Sequence, residues 1–161
     1  MQNRYMKKMV RAVAVLINGD EVLLIHRKNK KEYFVFPGGG VEDGESVEQA
    51  VIREMQEETT IDVKIDKLLY HHIYDDGSQQ FFYLCDYIKG EPKLREDSEE
   101  KMTMLKGKDF YEPLWIKINK LSTMLVYPLE VRDLLVRDYK NHFIGPVKKL
   151  VIKISDLRQS L

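Results

Sequence analysis

Three glutamates near the end of one helix-like segment, Glu54, Glu57 and Glu58, carry the first chemical signal in this chain. Like charges three and four residues apart on a helix repel one another. Close to a helix C-terminus the backbone dipole disfavours them by about 0.5 kcal/mol more. A helix gains nothing by collecting carboxylates there unless a cation sits among them. Oxygen-only ligands favour a hard ion such as Mg2+, with Mn2+ as a substitute, over zinc or copper. Arg53 can offset part of the repulsion by pairing with Glu57 four residues on. The competing reading, an acidic face turned to solvent, fits poorly. At about 100° per residue, Val47, Ala50 and Val51 define the packing face, Glu54 and Glu58 extend it, and Glu57 lies at its border.

Several elements must position these groups. Ser46 is a good N-cap with Gln49 as its capping-box partner, and the helix should run to about Thr59. Ahead of it, Tyr33 to Phe36 reads as a strand, ended by Pro37-Gly38-Gly39-Gly40, a backbone that can approach a ligand closely. Arg11–Ile17 and Glu21–Arg27 are β-rich runs joined at Asn18-Gly19-Asp20, a hairpin signal. Asn29 to Glu32 reads as a charged loop. Ile61–Tyr74 and Gln80–Ile88 read as strands around the turn Asp75–Ser78, the second an inner one. Residues 89–112 show no period and read as the longest loop, the kind that often carries function. A short strand is expected over Leu114–Ile118, a helix over Leu129–Asn141 opened by Pro128, and a strand over Val147–Ile154. With no repeat and no linker, the expectation is one α/β domain spanning 1–161.

Composition narrows the function. At 161 residues, 43% hydrophobic and 32% charged, the chain is ordinary globular material. Its 26 basic and 26 acidic residues balance, so no overall field points to nucleic acid or membrane. Between Glu42 and Glu58, however, seven carboxylates face one arginine, a patch that admits a polyanion only with bridging cations. A single cysteine, Cys85, excludes an intramolecular disulfide and a cysteine-based zinc site, and reads as a buried free thiol. Lys7, Lys8 and Arg11 precede an apolar run that is too short for a secretory signal, no stretch reaches membrane-spanning length, and the expected location is the cytoplasm. No P-loop pattern occurs, and no DNA-reading segment is evident.

The segment Gly39 to Ile61 resembles the Nudix box, G-x5-E-x7-R-E-U-x-E-E-x-G-U with U a bulky apolar residue. Gly39, Glu45, Arg53, Glu54, Met55, Glu57, Glu58 and Ile61 match in register. Phe36-Pro37-Gly38-Gly39 and Glu42 upstream, and Tyr111–Ile116 with Tyr127-Pro128 downstream, extend the likeness over most of residues 10–140, leaving 145–161 as a C-terminal extension outside it. One position departs: Thr60 stands where the family has glycine. Since a left-handed conformation is costly for a β-branched residue, the helix is expected to leave by a different turn.

The resemblance implies an α/β/α sandwich with a mixed sheet between helices, and Mg2+-dependent hydrolysis of a nucleoside diphosphate linked to another moiety. It implies Glu54, Glu57 and Glu58 as metal ligands, with the Gly38 carbonyl beside them, and Glu45 and Arg53 in orienting roles. The general base is open between Glu57 or Glu58 and a late-loop carboxylate, Glu99 or Glu100. Arg27, Gly39, Glu100 and a base-stacking Phe34 or Tyr33 are candidate substrate contacts, each against a structural alternative; His71 and His72 receive no role. The substrate is expected to be a nucleoside triphosphate, oxidised or otherwise non-standard, or else a nucleoside-diphosphate sugar of the ADP-ribose type. A non-catalytic nucleotide sensor is the reading from another class. Homodimerisation is expected on family grounds alone.

Overall fold

A computed structural model of the chain describes residues 8–157; residues 1–7, Lys7 among them, and 158–161 lie outside the described residues. Strand β1 (Val10–Asn18) is apolar almost throughout because both of its faces are buried. It turns through Gly19 (φ 62°) into β2 (Glu21–Lys28), with Asn18 opposite Glu21. Next come β3 (Glu32–Val35), β4 (Gly38–Gly40), α1 (Val47–Thr59), β5 (Asp62–Tyr74) and β6 (Gln79–Lys89). The remainder is α2 (Glu99–Leu105), β7 (Phe110–Lys117), a 3-10 turn (Ile118–Thr123), β8 (Val126–Tyr127), α3 (Leu129–Lys140), β9 (Lys148–Ile152) and α4 (Ile154–Leu157).

The strands form one mixed sheet in the order β8-β3-β2-β1-β6-β5-β9, with β4 on β1 and β7 on β2. β6 lies parallel to β1 and antiparallel to β5, the inner position its Phe, Tyr and Leu content predicts. Alternation along β1 divides the core. Ala12, Ala14 and Leu16 pack with Leu23, Tyr83 and Cys85 beneath Ala50, Val51 and Met55 of α1. Val13 and Val15 pack with Leu24, Phe82 and Leu84 beneath Val131 and Leu135 of α3. At about 1.5–3 kcal/mol for each fully buried aliphatic side chain, the two layers hold the helices to opposite faces, and the α/β/α expectation is met.

The feature that makes room for a site is a split in the sheet. β1 pairs with β2 at Ile17↔Val22 and Asn18↔Glu21, near the hairpin. Further out the two strands change partners. β3 pairs with β2 from Ile25↔Val35 to Lys28↔Glu32, while β4 pairs with β1 from Val13↔Gly38 to Arg11↔Gly40. The chain turns between them at Pro37, whose carbonyl accepts the Ala14 N–H at 2.9 Å. Two lips result, β1 with β4 and β2 with β3.

Three expectations need correction. Residues 89–112 are not all loop: α2 lies within them and β7 begins at Phe110. α2 buries no residue, so it has no apolar stripe for a sequence pattern to reveal. It is held instead by its cap, the Ser98 hydroxyl accepting from the Lys101 N–H at 3.1 Å, and by Glu99 and Glu100 against the helix dipole. β7 is longer than expected because Pro113, an unlikely residue for a central strand, is tolerated where β7 pairs with β2 alone among the described residues. Finally, Thr60 does not avoid the left-handed region: it sits at φ 58°, ψ 16°, as the glycine would. Its N–H bonds to the Gln56 carbonyl at 3.2 Å, its hydroxyl donates to the Glu91 carbonyl at 3.0 Å, and fully buried Ile61 anchors the chain beyond it. The strand predicted near the C-terminus adds to the sheet edge of its own chain, parallel to β5.

Candidate active site

Helix α1 delivers the acidic cluster, and its start is set by the expected box. The Ser46 hydroxyl accepts the Gln49 N–H at 3.1 Å, and the Gln49 side chain accepts the Ser46 N–H at 2.8 Å. Its end is capped by the following segment, where the Lys93 and Arg95 N–H groups bond to the carbonyls of Thr59 and Glu57, each at 3.0 Å. That segment leads through Ser98 into α2, so the helix C-terminus and the carboxylates of α2 are tied to one another.

Arg53 is the hub of the cluster. Its guanidinium meets Glu45 with two bonds, 2.7 and 3.2 Å, and donates to Glu54 at 2.9 Å and to the Gly40 carbonyl at 2.9 Å. Glu57 stands 3.5 Å away, and Arg95 approaches Glu57 from the other side at 3.7 Å. The forked bond to Arg53 holds the Glu45 carboxyl below its ordinary range. Glu45 also receives the Glu42 N–H at 2.8 Å, fixing the turn before the helix.

Glu54 and Glu58 behave differently. Glu54 is only 8% exposed, and burial pushes its carboxyl up despite Arg53, with Glu57 and Glu100 adding repulsion. Burial, then the charges of Glu54 and Glu100, hold Glu58 well above the carboxylate range; the Gly38 N–H, 3.1 Å from its Oε2, and Arg11 oppose this. Gly39 is required for space, since a Cβ there would lie 2.3 Å from Glu54 Oε1.

Two cavities meet at Glu54. One, of about 330 Å3, occupies the split in the sheet, with Arg11, Gly38–Gly40 and Glu58 on one side and Arg27, Val35 and Tyr111 on the other. The second, of about 350 Å3, is bounded by Arg53, Glu57, Arg95 and Asp97. Glu99 and Glu100 line both. Glu57 and Glu58 therefore open onto different cavities. Among the described residues no three acidic, histidine or cysteine groups converge closely enough to hold an ion as they stand. The donor set nevertheless fits a hard divalent cation: every ligand group, three carboxylates and the Gly38 carbonyl, offers oxygen, and the repulsion that adds to burial in raising Glu54 and Glu58 is what such an ion relieves.

The remaining candidates divide. Arg27 lines the first cavity, donating to the Tyr111 hydroxyl at 2.7 Å with its guanidinium 4.4 Å from that ring and 5.7 Å from Tyr33. Phe34 lies outside the cavity, stacked on His26 at 4.7 Å and packed against the core under α3. His72 is wholly buried in β5, with both ring nitrogens unpartnered. Sequence reasoning missed Arg11 and Arg95. Arg11 had shown only as a basic residue before an apolar run, and Arg95 lay in a stretch without period.

Comparison with known proteins agrees with this geometry. The model of the NUDIX domain family matches residues 7–133. An ADP-ribose pyrophosphatase of Methanocaldococcus jannaschii is 36% identical over 103 residues, 60% of this chain and 61% of that protein, so the chain spans less than two thirds of that relative. An 8-oxo-dGTP diphosphatase of Escherichia coli is 35% identical over 133 residues, 72% of this chain and 100% of that protein. A NUDIX hydrolase from Nitrosomonas europaea shares the fold with a TM-score of 0.71 at 17% identity, covering 92% of this chain and 81% of its own. The chain belongs to the NUDIX domain family.

Proposed function

We propose that this protein is a metal-dependent hydrolase of a phosphoanhydride bond in a nucleoside triphosphate, including oxidised or otherwise non-standard ones. The observation that carries the proposal is the cavity in the sheet split, where half-buried Glu58 and buried Glu54 face glycine backbone and two arginines. Glu54, Glu57 and Glu58, with the Gly38 carbonyl, would hold Mg2+. When bound, the ion neutralises phosphate oxygens and lowers the pKa of water. Glu45 and Arg53 keep the helix and Glu54 in position. Arg27, braced by Tyr111, contacts a phosphate, while Gly39 leaves room for substrate and for the Glu54 carboxylate. Glu58, Glu99 and Glu100 line this cavity, and one of them would take the proton of the attacking water, with Glu57 in the adjoining cavity as the alternative.

ADP-ribose is the second reading, favoured by the Methanocaldococcus relative's name. A pure sensor is disfavoured, because all three helix carboxylates are present. The test is a panel of nucleoside triphosphates, 8-oxo-dGTP and ADP-ribose with Mg2+, with products resolved by phosphorus NMR. Monophosphate plus pyrophosphate is the expected outcome. Binding without turnover of any member would replace the proposal with the sensor.

A further inference from the structure

Arg11 sits on one lip of the sheet split, opposite Gly40, and Arg27 on the other, opposite Tyr33. Each stands two residues beyond the point where the lips diverge, at Val13↔Gly38 and Ile25↔Val35. Their surroundings differ. Arg27 is already engaged: it donates to Tyr111, lies near two tyrosine rings, and has Asp109 at 3.8 Å. Arg11 is half-buried, and among the described residues no carboxylate stands within 4.0 Å of it. The strand beside it is glycine backbone, and no aromatic side chain stands on this side as Tyr111 does on the other. Glu58 feels the charge of Arg11 across the cavity but forms no close pair with it, so this half-buried guanidinium has room for a directly bonded anion.

Building on the function proposed above, we propose that Arg11 binds the free terminal phosphate of the substrate, so that the site selects a phosphate chain with an unesterified end. The aromatic lip at Arg27 suits the nucleoside side, and the glycine lip at Arg11 suits the more highly charged end. An internal phosphate esterified or bridged on both sides carries one negative charge; a terminal phosphate gains a second with a pKa near 6. Arg11 thereby separates a nucleoside triphosphate from a diphosphate capped at both ends.

The test compares wild type, Arg11→Lys and Arg11→Met on dGTP and on ADP-ribose, and measures binding of inorganic pyrophosphate by calorimetry in Mg2+. For Arg11→Met, KM for dGTP should rise about 10- to 100-fold with kcat within about threefold, and KM for ADP-ribose should be unchanged. Pyrophosphate affinity should fall by a similar factor, and Arg11→Lys should recover part of it. The rise of wild-type dGTP affinity between pH 5.5 and 7.5 should be lost in Arg11→Met. Equal effects on the two substrates, or wild-type pyrophosphate affinity in Arg11→Met, would overturn the assignment while leaving phosphoanhydride hydrolysis standing. Failure of wild type to hydrolyse any substrate would instead remove the underlying function, with the calorimetry still reporting on Arg11.

Discussion

Replacing Arg53 with alanine is the sharpest perturbation of the candidate site. The guanidinium bonds to Glu45 twice, to Glu54 once and to the Gly40 carbonyl once, and it stands 3.5 Å from Glu57. The three carboxylate side chains are 16%, 11% and 27% exposed, so water screens them only in part. Breaking a pair of this kind by removing one partner costs about 3–5 kcal/mol when buried. Partial exposure places the expected loss at the lower end, about 3 kcal/mol. For a chain of this size that corresponds to a fall in Tm of about 6–12 °C. The assay is thermal unfolding in excess chelator, so that no ion contributes. Glu45 supplies a pH signature. Its folded pKa is depressed by Arg53, so its contribution is present above the unfolded value, about 4.3, and is lost as pH falls through the folded value. The gap between wild type and Arg53→Ala should therefore narrow below about pH 4. A variant within about 0.5 kcal/mol of wild type at pH 7 would refute the reasoning.

Other positions give independent tests. Thr60→Gly removes a left-handed β-branched residue at a cost of one exposed hydrogen bond, and should raise stability by about 1 kcal/mol; a lower Tm would mean the bond to Glu91 dominates. His72→Leu should stabilise the fold, because both buried ring nitrogens lack partners. Burial lowers the His72 pKa, so the unfolded chain takes up its proton first as pH falls below about 6.5. Wild type should lose stability from there down to the folded pKa, and the leucine variant should lose less in chemical denaturation across pH 7 to 5. Gly39→Ala forces Glu54 aside, since the new Cβ would lie 2.3 Å from its Oε1; Mn2+ affinity, read by calorimetry, should fall about tenfold with little change in Tm.

Much of this architecture is legible because it is local. The capping box at Ser46 and Gln49 joins neighbours in sequence, and so does the hairpin at Gly19. The inward turn of Glu54 follows from counting along α1, and its 8% exposure agrees. What sequence conceals is set by distant partners. α2 buries nothing and so prints no period. Arg11 enters the cavity only because β1 exchanges β2 for β4, a pairing across nearly thirty residues that no local pattern announces. Phe34 is drawn to His26 and the core by its strand register, and not to the cavity two residues along at Phe36. At Thr60, the distant bond to Glu91, with buried Ile61 beyond it, overrides the intrinsic preference of a β-branched residue.

The most direct test of the account is hydrolysis of dGTP followed by phosphorus NMR, for wild type with Mg2+, wild type with chelator, and Glu57→Gln with Mg2+. Catalysis by metal held on the helix carboxylates predicts monophosphate and pyrophosphate in the first sample, none above background in the second, and a rate at least about a hundredfold lower in the third. Turnover that survives chelation, or that is untouched by Glu57→Gln, would contradict it.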